Sequence, residues 1–468
     1  MPHLRRNLGL IEAIGLSLSI IAPTGAMAFN VALAAGAAGR AAPLAFVVGT
    51  VALAIVGLSF VVFARRVAHA GSAYAYIAKE FGPRAGFLAG WALMLTYICF
   101  CTGTAVLAGN FIHAALANYK IAVPGFWVAV SVAAIVIATY LAYRDMRLAA
   151  RLMLVLEAIS VLAIVVLGVI VLEKVSAHGG LSAAPFAPSP VYGWSGVGYG
   201  MVFAVLSFAG FEGAATLGEE TGDPNRAIPI AVLGTVILAG VFYVFASYVQ
   251  VIGFGLGNMK ALAADSAPLN TLGLKFGSRE FATLLDVAAA VSMFSCVLGS
   301  LSAAARMLFA LGRAGLAPER IGAVHEQHGT PGAAVLTIAA VALAGVIFGA
   351  PLVGAASYFG AVGTIGTLAL ILVYTGVTVA EAVDAMRSRK KIWLAFGVLG
   401  TLILLWPLYN SIYPAPAYPG NLWPYVVIAY LAVGLGLLAL RPAIGKATQY
   451  ESTWDVLVPD EQFEEGQG

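Results

Sequence analysis

Residues 207–214 read Ser207-Phe208-Ala209-Gly210-Phe211-Glu212-Gly213-Ala214, in the middle of a long apolar segment. A continuous membrane helix does not suit this composition. The paired glycines loosen the backbone, and an ionised acid at bilayer depth costs several kcal/mol unless it is paired or hydrated. A second irregular stretch lies near the start of the chain: Ser19-Ile20-Ile21-Ala22-Pro23-Thr24-Gly25-Ala26. Pro23 has no N–H to donate and disfavours helical geometry at Ala22, while Gly25 adds freedom.

The chain around these stretches is overwhelmingly apolar. Of 468 residues, 61% are apolar and 10% charged, against roughly 45–50% and about 25% in soluble domains. Disorder, a secreted disulfide scaffold and a soluble enzyme are excluded. Continuous rather than alternating apolar runs exclude a β-barrel. A spanning helix takes ~20 apolar residues, and the charge-free windows mark the spans: 41–64, 85–119, 121–143, 152–172 with Glu157, 175–218 with Glu212, 227–259 and 281–305 with Asp286. Window 327–380 holds two helices, with a turn expected near Gly349-Ala350-Pro351, and 392–440 holds two more around Tyr413-Pro414-Ala415-Pro416. With 10–38 this makes twelve.

Lys and Arg placement orients the chain. With twelve spans and a cytoplasmic amino terminus, one side receives 19 of the 25 basic residues, so both termini are expected in the cytoplasm. Arg5-Arg6, an apolar run and Ala26-Met27-Ala28 imitate a cleavable signal peptide, but Glu12 interrupts the run and the segment is read as the first span. Cys99, Cys101 and Cys296 form no metal or disulfide pattern and read as small core residues. The tail 446–468 reads as a solvated cytoplasmic extension.

The two interrupted segments are spans one and six, five apart. That is the pattern of a five-plus-five inverted repeat with broken helices in equivalent places. Unwound backbone in a membrane survives where it lines a cavity or is buried in protein. Its N–H groups at half-helix N-termini can hold a carboxylate, and its freed carbonyls an ammonium. A zwitterionic amino acid offers both groups.

Three stretches carry a resemblance. The first runs Phe208-Ala209-Gly210-Phe211-Glu212-Gly213 through Glu219-Glu220 to Pro224-Asn225-Arg226-Ala227-Ile228-Pro229. The second is Gly71-Ser72-Ala73-Tyr74-Ala75-Tyr76 followed by Phe81-Gly82-Pro83 and Gly90-Trp91, and the third Ala305-Arg306 through Gly312-Arg313-Ala314-Gly315 to Pro318, with Thr330-Pro331 beyond. In these the chain resembles the amino acid–polyamine–organocation (APC) superfamily of permeases, over roughly residues 8 to 440. The resemblance implies an all-α membrane protein of LeuT-type fold: twelve transmembrane helices, a five-plus-five inverted repeat and discontinuous helices one and six. It implies a single transporter domain over 1–445, with repeat one about 10–173, repeat two about 193–380 and appended helices at 392–440. It also makes the stretch 264–277 an extracellular re-entrant helix over the cavity. Three features depart from the family pattern. The first break lacks the usual glycine-rich form. Leu206 stands where many members have a large aromatic gate, leaving Phe208 or Phe203 as substitutes. No lysine occurs between Arg151 and Glu173, where some members place an ammonium instead of sodium.

The expected substrate site comprises Ile21, Ala22, Pro23, Thr24 and Gly25 of the first break, Leu206, Ser207, Phe208, Ala209, Gly210 and Phe211 of the second, and Tyr97 on span three. Glu212 is the expected coupling acid. Glu157 is the alternative, or else a structural partner of Arg151. Phe208 and Arg306 are the expected gates, while Glu219 and Glu220 either gate or anchor. Ser292, Ser295, Ser300 and Ser302 either ligate sodium or pack helices, and Asp286 is expected to be structural. No metal-site or catalytic motif is present, and no nucleotide-binding loop. The reading is a secondary amino acid permease, not an enzyme, taking up neutral amino acids with a proton, or failing that sodium, as coupling ion. It needs no cofactor, no ATP and no nucleic acid; its partners are the substrate and the bilayer, as monomer or homodimer. A polyamine or ethanolamine permease, an exchanger and a transporter-like nutrient sensor are the alternatives.

Overall fold

The computed structural model describes residues 17–18, 21–64, 72–121, 123–144, 147–212, 224–313, 320–323 and 330–440. Regular structure there is helical throughout. In chain order the helices are α1 (Pro23–Ala38), α2 (Ala42–Ala64), α3 (Ser72–Phe81), α4 (Pro83–Ala117), α5 (Phe126–Arg144), α6 (Arg147–Ser176), α7 (Gly193–Phe208) and α8 (Pro224–Phe254). They continue with α9 (Met259–Ala264), α10 (Pro268–Phe276), α11 (Arg279–Arg313), α12 (Gly332–Ala344), α13 (Ala350–Val353), α14 (Ala355–Arg387), α15 (Lys391–Asn410) and α16 (Trp423–Leu440).

Among the described residues, 10 stretches are long and apolar enough to cross a membrane. One of them, Pro23–Phe63, consists of α1 and α2 joined by a short 3₁₀ turn, and α7 is a shorter apolar helix. The turn expected near 349–351 lies elsewhere. The chain stays helical from α12 through a π segment, Gly345–Gly349, into α13. Pro351 sits in the first turn of α13, where its missing N–H costs nothing. Gly354, at φ 85°, makes the turn that a residue with a Cβ would resist.

α6 shows how sequence becomes a membrane face. Val155, Ile159, Leu162, Val166 and Val169 recur at helical spacing, and all are exposed. Glu157, Ser160, Ile164, Leu167 and Val171 recur on the opposite side and are buried. The apolar stripe faces outward and the acid inward, the reverse of a soluble amphipathic helix. α4 is the central strut: its most apolar window is 83% buried, against 17% for α16. It packs along α11 on one side and α14 on the other, while α1 packs on α7, α8 and α11.

Lipid offers no hydrophobic gain for helix association, so close approach of small residues matters. A Cβ on Gly240 of α8 would meet the Thr50 side chain of α2 at 2.1 Å. One on Gly366 of α14 would meet Phe100 and Cys99 of α4 at 2.9 and 3.0 Å. These glycines set how tightly α8 and α14 close on their neighbours.

The α9–α10 pair bridges α8 and α11. Asp265 caps α10, accepting from Ala267 N at 2.8 Å and Thr271 Oγ1 at 2.6 Å. Asn110 of α4 donates to Ser266 O (2.8 Å) and Lys174 of α6 to Phe276 O (2.7 Å). Asn270 donates to the buried Asp286 carboxylate of α11. Asp286 thus anchors the short helix, and Asn270 lies against the bundle rather than outward.

Candidate functional site

The first break is a single residue. Helical structure before it closes normally, with Ala22 N donating to Leu18 O at 3.1 Å. Ala22 then turns left-handed (φ 48°, ψ 64°), and Pro23 begins α1. A left-handed non-glycine costs roughly 1–2 kcal/mol, and the proline that follows already keeps Ala22 out of the ordinary helical region. The first turn of α1 exposes backbone donors with no intrahelical partner. Thr24 N donates to Glu157 Oε1 of α6 at 2.7 Å, and Gly25 N to Ser292 Oγ of α11 at 2.9 Å. The Ser292 hydroxyl also bonds the Glu157 carboxylate. Glu157 of α6 therefore ties α1 and α11 together at the positive end of a helix start, where an anion is favoured.

The second break begins at the end of α7. α7 ends at Phe208, Ala209 N closes a last tight turn on Leu206 O (3.3 Å), and Gly210 adopts φ 104°. The freed carbonyls are claimed by side chains. Tyr243 Oη of α8 donates to Ser207 O at 2.7 Å, and Ser17 Oγ, from the helical turn before the first break, donates to Phe211 O at 3.2 Å. Glu212 is buried and accepts from Tyr374 Oη of α14 at 2.6 Å. The Gly210 and Glu212 N–H groups turn toward the same carboxylate.

Two adjoining cavities join the breaks. The larger is lined at the first break by Ile21, Ala22, Ala26 and Asn30, and across from it by Leu206, Met293 and Phe359 among others. The smaller is lined by Tyr97, Gly210, Glu212, Ser300 and Leu370. Phe100, Ala209 and Cys296 line both.

Of the expected site residues, Ile21, Ala22, Leu206, Ala209, Gly210, Tyr97 and Glu212 line a cavity. Pro23, Thr24 and Gly25 are buried in the first turn of α1 and line neither, the Thr24 and Gly25 donors being engaged as above. Ser207 turns away, accepting from Asn30 Nδ2 at 2.8 Å. Phe208 packs edge-on against Tyr243 with ring centres 4.8 Å apart, and Phe211 against Phe60 and Tyr374. Phe208 therefore sits behind the cavity wall, held by the α8 aromatic. Phe203 pairs with Tyr199 at 5.5 Å. The aromatic rings on the cavity are Tyr97, Phe100 and Phe359. Phe100 and Phe359 were missed because one apolar aromatic among many on a membrane helix gives no signal of which face it takes. Arg306 is exposed on α11. Glu219 and Glu220 lie outside the described residues, and so does the Arg151 side chain. Glu212 bonds α14 through Tyr374, and Tyr97 lines the smaller cavity with it.

A helical membrane bundle in which an interrupted first helix and the end of α7 meet across a cleft is the architecture of a transporter. The pattern of the family described as "Amino acid permease" matches residues 13–411. The chain belongs to that family: it is a multi-pass cell-membrane transporter and not an enzyme. Among its relatives, the "Low-affinity putrescine importer PlaP" of Escherichia coli (strain K12) is 26% identical over 367 residues, covering 77% of this chain and 78% of that one. The "Branched-chain amino acid permease BcaP" of Lactococcus lactis subsp. cremoris (strain MG1363) is 25% identical over 461 residues, covering 92% and 95%. The "Uncharacterized transporter Rv1999c" of Mycobacterium tuberculosis (strain ATCC 25618 / H37Rv) is 28% identical over 463 residues, covering 97% and 95%.

Proposed function

We propose that this permease is a secondary active transporter of neutral amino acids that works by alternating access, with a proton as its coupling ion. The observation that carries this is the meeting of the two breaks at a small cleft whose walls are mostly apolar, with Glu212 lining the cleft next to it. The apolar walls (Ile21, Leu206, Met293, Phe359) suit an aliphatic side chain. A relative named for branched-chain amino acids supports the same choice. Splitting Pro23–Phe63 into its two helices and counting α7 brings the spans to twelve. In this reading residues 1–445 form one domain of two inverted repeats (about 10–173 and 193–380) with appended helices at 392–440, the tail 446–468 and both termini being cytoplasmic. Glu212 carries the proton, with Glu157 second. Tyr97 and the two breaks hold the substrate. Arg306 gates the cytoplasmic side.

A second reading, transport of an organic amine such as putrescine, has one structural point in its favour. The Thr24 and Gly25 donors that would receive a substrate carboxylate are already bonded to Glu157 and Ser292. A relative named for putrescine import points the same way. Uptake of a labelled panel into proteoliposomes, with and without sodium and an imposed pH gradient, decides between them. Neutral amino acids should accumulate under an inward proton gradient without sodium. Putrescine or ethanolamine transport without any amino acid transport would overturn the first reading.

A further inference from the structure

Asn30 of α1 is 2% exposed and lines the larger cavity two turns beyond the Ala22 break. Its amide has one engaged end. Nδ2 donates to Ser207 Oγ at 2.8 Å, while Oδ1 is buried with no hydrogen-bond partner. The orientation is forced by Ser207, whose hydroxyl hydrogen is spent on Phe203 O at 2.9 Å. Its oxygen can therefore only accept, so the amide nitrogen must face it and the carbonyl oxygen is the end left over. Buried acceptors are nearly always paired, and an unpaired one calls for a specific explanation. Gln250 Oε1 is also buried without a partner, but Gln250 lines neither cavity.

The donor that Asn30 Oδ1 lacks is not supplied by the cavity. The backbone N–H groups of the first break are bonded to Glu157 and Ser292. Thr104, on the same wall, donates to Phe100 O at 2.7 Å. The other residues lining that cavity have apolar or thiol side chains. In the adjoining cavity the charged side chain is a carboxylate, Glu212. The two neighbouring cavities therefore hold a buried, unpaired acceptor on the wall of one and an acid on the wall of the other, a combination that favours a positively charged donor. The carbonyls of Ser207 and Phe211, which would otherwise take an ammonium at the second break, are occupied by Tyr243 and Ser17.

We propose that Asn30 Oδ1 receives the primary ammonium group of the transported substrate and so selects ammonium-bearing compounds over their des-amino counterparts. This rests on the transport reading above. It holds for either ligand source, the α-ammonium of an amino acid or the terminal ammonium of a diamine, because the shared chemistry is a compact cation with N–H donors. A hydrogen bond to a charged group also accounts for why an amide serves here: it accepts without adding a second carboxylate to the pair of cavities that already holds Glu212.

The test uses full-length protein in proteoliposomes, as wild type, Asn30→Leu (similar volume, no acceptor) and Asn30→Asp (acceptor retained). Exchange of whichever panel compound the wild type carries is challenged with leucine, with 4-methylpentanoate, which is leucine without its ammonium, and with the diamine putrescine. The wild type should prefer an ammonium-bearing compound over the des-amino acid. Asn30→Leu should raise KM by about 10- to 100-fold and bring that preference close to unity. Asn30→Asp should restore KM to within a few-fold and shift selectivity toward the diamine. If Asn30→Leu does not yield folded protein by size-exclusion chromatography, Asn30→Ala takes its place with the same expectation. An acceptor-free variant with wild-type KM and wild-type discrimination would overturn the proposal, and would mean a trapped water fills the gap. Equal impairment of both substitutions would also overturn it, assigning Asn30 only to the Ser207 tie. A wild type that transports no member of the panel defeats the transport reading itself and this proposal with it, whereas the two variant outcomes leave that reading standing. Leucine and putrescine as the preferred compound separate the amino acid from the amine source.

Discussion

The two interruptions solve the same problem in opposite ways. At Ala22 the chain loses one residue of helix, and the groups left over are donors: Thr24 N and Gly25 N, bonded to Glu157 and Ser292. At Ala209-Gly210 the groups that turn to other helices are acceptors, and the hydroxyls of Tyr243 and Ser17 come to them, while the Gly210 and Glu212 N–H groups are met within the break by the Glu212 carboxylate. Each break also has its own buried acid, and the acids differ in connection. Glu157 reaches across from α6 to another span's backbone, so it fastens the break to the surrounding bundle. Glu212 belongs to the break, lines a cavity, and is held by Tyr374 of α14. An acid that fastens backbone should matter for stability, and an acid open to a cavity should matter for what passes through it.

That difference can be broken by experiment. The largest effect is expected from Glu212→Gln, which mimics the protonated acid. Counterflow exchange should survive, while accumulation driven by a pH gradient should fall by at least about tenfold, the scale of losing one charge-dependent interaction of ~1.4 kcal/mol. Intact, pH-dependent accumulation would remove Glu212 from coupling and shift attention to Glu157. Next comes Glu157→Leu. It strands the buried Thr24 donor, at a cost of about 1–3 kcal/mol, and should lower thermal stability in detergent as well as exchange. Glu157→Gln retains an acceptor and should recover most of the stability. Equal stability of Leu and Gln variants would show that the Thr24 bond is not what fastens the break.

Smaller effects separate the hydroxyls. Tyr374→Phe removes a charge-assisted partner of Glu212 and should reduce exchange more than Tyr243→Phe, which unpairs only the neutral Ser207 carbonyl. Exchange rates for the pair measure this, and the reverse order would contradict the contrast drawn above. The least perturbing test concerns the short helix α10. A cysteine at Leu274, which is 49% exposed, should label with a membrane-impermeant maleimide from outside, whereas one at Asn270, 8% exposed and bonded to Asp286, should label poorly. Labelling of Leu274→Cys only from the cytoplasmic side would reverse the orientation.

Much of this architecture is visible in the residues because membrane spans announce themselves by the absence of charge. Pro23 and the pair Gly210-Gly213 mark the breaks for the same reason: in an otherwise regular helix, residues that cannot maintain the hydrogen-bond ladder stand out. What the sequence does not show is direction. Phe208, adjacent to the break, points into α8, while Phe359, more than a hundred residues away, lines the cavity. Helical rotation decides both, and a segment apolar on all sides leaves rotation unspecified. Asn30 was passed over for the same reason, and so was Cys296, a core-type thiol that lines both cavities. The turn at Gly354 rather than at Pro351 has a different cause: proline near a helix start is tolerated, so it does not by itself mark an end.

The central claim is that substrate passes through the space between Ala22 and Ala209. Cys296 offers a native probe, since it lines both cavities and the other two thiols, Cys99 and Cys101, line neither. In a Cys99→Ala, Cys101→Ala background, the rate at which a small permeant methanethiosulfonate reagent modifies Cys296 can be followed during exchange, with and without saturating substrate. The account predicts modification during turnover and protection of at least several-fold by a transported substrate, with none by a compound that is not carried. Modification that is indifferent to substrate, or a Cys296 that never reacts during active exchange, would contradict it.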